Sequence, residues 1–286
     1  MKNYFFFLLG LLLCQGVAAQ DIVYQTFKDR WIINTMSVET LPKNKLDIRI
    51  AHRFGDMGGE AGGWATFYGL ENASDVSIGA EYGLSDRLTL GVNRSKGAGS
   101  LRQLLNAFLK YKLLEQQQNG RPVSLVVVGM ASLSTSQRSN NPASMTYFAN
   151  FAHRMVYHGA VMAGRKFSGR FSLQLTAGLT HRNVVPNDQQ NNTLHIGLAS
   201  RIQVTKILSI ISDFALPFIE APTDSRFDHH PPLGIGLEID TGGHIFQVNL
   251  TNANGIMPTD YIPYTFSDWG KGQFRLGFTI SRMFNL

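Results

Sequence analysis

Eight histidines stand out in a chain with a single cysteine: His52, His153, His158, His181, His195, His229, His230 and His244. Imidazole moves protons near neutral pH and ligates metals, so the neighbours of each decide what chemistry is available. Asp228-His229-His230 is the densest group. Adjacent loop residues lack the i, i+4 or Cys-x-x-Cys spacing that aims donors at one ion, and Pro231-Pro232 follow at once, as at a loop tip. No metal site is expected. A nucleophilic hydrolase needs an imidazole within reach of a serine. No histidine here is followed two positions later by serine, and Asn249 and Thr251 near His244 are the nearest polar grouping. Gly-x-Ser-x-Gly, His-Glu-x-x-His, phosphate-loop and dinucleotide signatures are absent as well. Neither an enzyme nor a cofactor is expected.

What the chain repeats instead is alternation. In residues 77–93, Ile78, Ala80 and Tyr82 oppose Ser77, Gly79 and Glu81; beyond Gly83-Leu84-Ser85-Asp86, Leu88, Leu90 and Val92 oppose Arg87, Thr89, Gly91 and Asn93. Period two is the signature of a strand, and the polar break is turn chemistry, so the pair reads as a hairpin. Similar arms cover 46–53, 104–113, 123–132, 156–166, 170–182, 194–203, 208–216, 233–240, 244–251 and 273–284. With the two arms of the hairpin, twelve strands are predicted.

The links between them alternate too. Those after even-numbered arms are short, as in Phe167-Ser168-Gly169 and Thr241-Gly242-Gly243, and those after odd-numbered arms are long, as in residues 55–74. A soluble two-sheet fold gives no reason for this, whereas a membrane barrel has short periplasmic turns and long outer loops. Several arms also reach the nine to eleven residues that a tilted membrane strand needs. Tyr82, Tyr111, Tyr157, Phe167, Phe171, Phe274 and Phe284 fall near strand ends, where interfacial girdles sit. The fold class predicted is all-β, a single antiparallel transmembrane barrel with its apolar face toward lipid.

The first residues read as an export leader. Lys2 precedes the apolar run from Tyr4 to Leu13, and Val17-Ala18-Ala19 offers small residues for cleavage. The predicted division is a leader over 1–19, an N-terminal periplasmic arm or plug over 20–44, and a barrel over 45–286, placed in the outer membrane. The one cysteine, Cys14, lies in the leader, so no disulfide is expected in the mature chain. The net charge of +6 is spread along the chain, which argues against a nucleic-acid partner.

If lipid takes the apolar face, strand phase puts the other face in the lumen. The predicted lining is Arg49, Arg53, Glu81, Arg87, Lys110, Lys112, Arg170, Arg182, Arg201, Glu238, Asp240, Gln247, Asn249 and Arg275, with Asp47, Gln174, His195 and Asp213 on the same face. Such a wall is mixed in sign with a basic bias. Arginine–carboxylate networks could fill and stiffen a narrow barrel, or the basic bias could favour anions in a pore. Twelve strands fall between the eight of a filled barrel and the sixteen of an open channel.

Several phrases carry a family likeness: AHRFGD at 51–56, EYGLSDRLTLGVNRS at 81–95, FLKYKLLEQ at 108–116 and DTGGHIFQVNLTNANG at 240–255. In that order they resemble a family of outer-membrane β-barrels from Bacteroidota-type bacteria, classed as a domain of unknown function. The resemblance implies location and fold and carries no reaction. The sequence reading favours a narrow pore or binding barrel for a small polar solute, anions included. The alternatives are a plugged barrel that engages a periplasmic protein through residues 20–44, and a lipid-modifying barrel of the outer-membrane phospholipase type. The last would need the His-x-Ser pair that is missing.

Overall fold

A computed structural model describes residues 22–186, 189–219 and 228–286. The leader predicted over 1–19 lies outside the described residues. The barrel strands are β3 (Lys45–Phe54), β4 (Ala73–Ser85), β5 (Leu88–Ser95), β6 (Leu104–Leu114), β7 (Ser124–Ser134) and β8 (Met155–Lys166). They continue with β9 (Phe171–Arg182), β10 (Asn192–Gln203), β11 (Leu208–Phe218), β12 (Leu233–Asp240), β13 (Ile245–Thr251) and β14 (Arg275–Asn285). Each pairs antiparallel with its chain neighbours, and β14 returns to β3 from Gly277↔Arg53 to Asn285↔Lys45. The closed ring of twelve strands leaves no edge, as hydrocarbon requires of any spanning sheet.

The burial pattern is inverted relative to a soluble protein. Ile78, Leu175 and Ile196 are 50% exposed or more, while Thr89, Asn106, Lys110 and Gln174 are fully buried. Period two therefore sorts apolar side chains to the outside and polar ones to the lumen. The hairpin of 77–93 keeps its predicted phase, with Gly79 opposite Asn93 and Glu81 opposite Gly91. Its break is shorter than predicted, because β4 runs on through Gly83 to Ser85 with a register shift. Gly83 is required there: a Cβ at that position would meet the Pro42 carbonyl of the passing N-terminal segment.

Two elements lie inside the ring. A small hairpin, β1 (Trp31–Ile32) and β2 (Thr35–Met36), enters from the short-turn end. Its flanking residues 26–41 are almost all buried, so this segment is a plug in the lumen. The plug turns over at Ile33, whose φ is 53°. A β-branched residue in the left-handed region costs about 1–3 kcal/mol and persists only where its surroundings impose it. From the other end comes a short helix, α1 (Pro258–Tyr264), all of whose residues are buried. Residues 244–273 were expected to hold only a strand and an outer loop. Proline at the first helical turn and the apolar Tyr261, Ile262 and Tyr264 turn part of that loop into a lid folded back into the barrel.

Candidate lumen site

The plug brings Asp29 and Arg30 to the charges that β3 and β4 point inward. Arg30 lies 2.7 Å from Asp47, 3.6 Å from Asp29 and 3.9 Å from Glu81. Arg49 donates to Asp29 and lies 3.8 Å from Asp47. The Arg30–Asp47 approach is short, yet the Asp47 oxygens make no hydrogen bond of acceptable angle, so this contact is one of charge. Gln247 donates to Asp29 at 3.0 Å and to the Trp31 carbonyl at 2.8 Å, and the Trp31 indole donates to Glu81 at 2.6 Å. The Lys110 ammonium reaches the Ser37 carbonyl at 3.2 Å. Three carboxylates thus share two guanidiniums, while the Lys110 ammonium rests on a plug carbonyl. Burial opposes ionisation of Asp29, but Arg49 and Arg30 outweigh it and hold the carboxyl below its usual range.

Other predicted lining residues are also inside and already engaged. Arg201 pairs with Glu238 at 2.7 Å, Asp240 with the plug's Lys28 at 2.9 Å, and Lys112 with Glu115 at 3.4 Å. Arg53 donates to the plug's Asn34 and to the lid-loop carbonyls of Ala253 and Gly255. Arg275 donates to the Asn252 carbonyl at 2.7 Å. Arg182 donates to the Gln190 carbonyl at 2.7 Å and lies over the Tyr264 ring. Asn249 is buried between Gly236 and Gly277. Asp213 accepts from Asn34 and Thr35 of the plug, Gln174 donates to the Met36 carbonyl, and His195 stacks on His158 at 5.4 Å.

Arg87 and Arg170 are corrections. Both sit exposed in short turns rather than in the lumen, because strand phase loses its meaning where the chain reverses. Sequence reasoning also missed Lys28, Asp29, Arg30, Asn34 and Glu39, whose segment lacks period two. The one available signal was a charged Asp29-Arg30 pair set against Trp31-Ile32-Ile33.

At the lid, Asp260 accepts from the Ala98 and Gly99 amides at 2.7 and 2.8 Å, and Thr259 meets Ser132 of the wall at 2.6 Å. Burial, with Asp75 adding to it, pushes the Asp260 carboxyl up to about 7. Asp75 accepts from the Ile256 and Gly97 amides. Little space remains between plug and lid. A hollow of about 30 Å³ lies among Trp31, Arg49, Glu81, Asn93 and Met257, room for a few waters at most. At the short-turn mouth a vestibule of about 300 Å³ opens beside Lys28, Arg30, Asp47 and Asp240. Among the described residues, no group of three or more His, Cys, Asp or Glu is placed to bind a metal.

A ring of twelve antiparallel strands with an apolar exterior and a polar, occupied interior defines a transmembrane β-barrel of the outer-membrane type. The chain belongs to the family described as a membrane bound beta barrel domain (DUF5777), whose model matches residues 27–284. It is an integral outer-membrane protein. No curated protein sequence is significantly similar to it. Among solved structures it is similar to the KdgM porin, with a TM-score of 0.50 and 8% identity over 84% of this chain and 99% of that one. It is also similar to the Acinetobacter baumannii outer membrane protein Omp33, with a TM-score of 0.41 and 9% identity over 85% and 99% of the two chains. At such identities the likeness concerns the fold.

Proposed function

We propose that this porin-like barrel is a gated passage for small polar solutes, closed at rest by its own N-terminal segment. The observation that carries this reading is the manner in which the plug is held. It meets the wall largely through ion pairs and hydrogen bonds at Asp29, Arg30, Asn34 and Met36, as well as through apolar packing of Trp31, Ile32 and Ile33. Polar contacts can be exchanged for water when the segment leaves, which a wholly apolar seal would not permit at comparable cost. The likeness to a protein named as a porin supports a passage.

Plug displacement would also change the field inside. Asp29 leaves Arg49 while Arg30 leaves Asp47 and Glu81 and Lys28 leaves Asp240, so lining charges of both signs are freed. A lining of mixed sign suits a small polar solute. A periplasmic protein is the natural agent of displacement. It would reach residues 22–24 and 42–44 rather than the whole of 20–44, since Tyr24 is 78% exposed and residues 26–34 are nearly all buried.

The test is single-channel conductance of the full chain in planar bilayers under a salt gradient. Wild type is expected to be silent or to open rarely. The D29N/R30Q double variant, which frees the plug from the central network, is expected to show frequent steps. A folded double variant that stays as silent as wild type would sink the gated-passage reading and favour a permanently sealed scaffold.

A further inference from the structure

We infer that the plug and the lid are a single coupled gate, so that an event which lifts the lid at the cell surface loosens the plug on the periplasmic side. The inference rests on the gated reading above and concerns its regulation. Its basis is the seam where the two elements meet inside the barrel. Trp31 and Ile33 of the plug and Ile256 and Met257 of the lid loop belong to one buried apolar cluster, so neither element completes its packing alone.

Two wall residues are shared across that seam. The Arg53 guanidinium gives one nitrogen to Asn34 Oδ1 at 2.5 Å and the other to the carbonyls of Ala253 and Gly255. Thr251 Oγ1 accepts from Asn34 Nδ2 at 3.2 Å and from the Ala253 amide at 3.1 Å. If the lid loop departs, Arg53 keeps Asn34 as its one remaining acceptor while buried, and the plug tip is held only by the wall contacts of Arg53, Thr251, Asp213 and Gln247.

The strained residue lies at the same seam. Ile33 holds its φ of 53° where Gln247 accepts its amide and Ile256 and Met257 close the apolar cluster around it. Removing that cover lets Ile33 relax to an ordinary conformation, which reshapes the turn that carries Asn34. Strain held at a junction between two elements is released when either one withdraws, and that release is the link between the two ends of the lumen. The membrane strands themselves need not move.

Hydrogen exchange of the full-length protein in bilayers, read at the amides of Ile33, Asn34 and Thr35, tests this. D260A removes the acceptor of the Ala98 and Gly99 amides and contacts no plug residue by hydrogen bond. It is expected to speed exchange at the three plug amides by about tenfold or more. The converse variant, S132C/T259C, ties the lid to the wall where the two hydroxyls now touch. Its oxidised form is expected to slow plug exchange below wild type, and reduction to restore it. Faster exchange confined to residues 253–264 in D260A, or plug exchange indifferent to oxidation of the tether, would overturn the coupling. Should D260A disturb the barrel, faster exchange in the strands will reveal it, and the tether then decides. Silence of D29N/R30Q in the bilayer sinks the passage without touching this result, so the two failures are separable.

Discussion

The Arg49 guanidinium sits between Asp29 of the plug and Asp47 of its own strand, in a lumen with almost no solvent. Removing one member of a buried ion network leaves the others uncompensated, at a cost of about 3–5 kcal/mol. R49M is therefore expected to release the plug or lower the barrel's stability, seen as faster proteolysis of residues 26–41 and an earlier heat-modified gel shift. R87Q and R170Q should leave both readouts unchanged, because those side chains are in water. The three arginines were indistinguishable by residue type and strand phase. Only Arg49 lies far enough inside its strand for the phase to fix its direction, and its partner Asp29 comes from a segment that has no phase.

Among the elements, the lid is the one whose docking depends on pH. The Asp260 carboxyl moves from an ordinary value of 3.8 in the unfolded chain to about 7 when buried beside Asp75, with the Ala98 and Gly99 amides and then Arg102 opposing the shift. An acid whose pKa is raised by folding contributes stability that is complete below the unfolded value and is lost as pH rises through the folded one. Lid docking should thus be tightest near pH 4 and weaken toward pH 7, with little further change above. Exchange protection of the Ala98 and Gly99 amides across that range measures it, and D260N should flatten the profile. The strands were legible because period two and turn residues are local signals. The lid was not: seven residues with two prolines read as loop, and its helix is imposed by the pocket that buries it.

For the molecule as a whole, the inversion of burial sets what substitutions the barrel tolerates. Leu175, in the middle of β9, is 60% exposed and faces lipid, so L175R should cost about 2–4 kcal/mol if it sits near the bilayer midplane. Urea titration of folding into vesicles would read this, and a cost near zero would contradict the assigned outer face. Closure of β14 on β3 follows from the same demand that no amide be left unpaired in hydrocarbon.

Alternating residue type and alternating link length determined the strands, their antiparallel order, which face meets lipid, and hence the membrane. These are statements about neighbours along the chain, and twelve strands of that kind have few ways to close. Whether the lumen is open or filled was left to the tertiary structure. The contacts that fill it join Asn34 to Asp213 across 179 residues and Asp29 to Gln247 across 218, and no local period records such pairs. A charge in the lining is a pore charge or a latch according to what stands opposite it, and only the folded chain brings that partner into place.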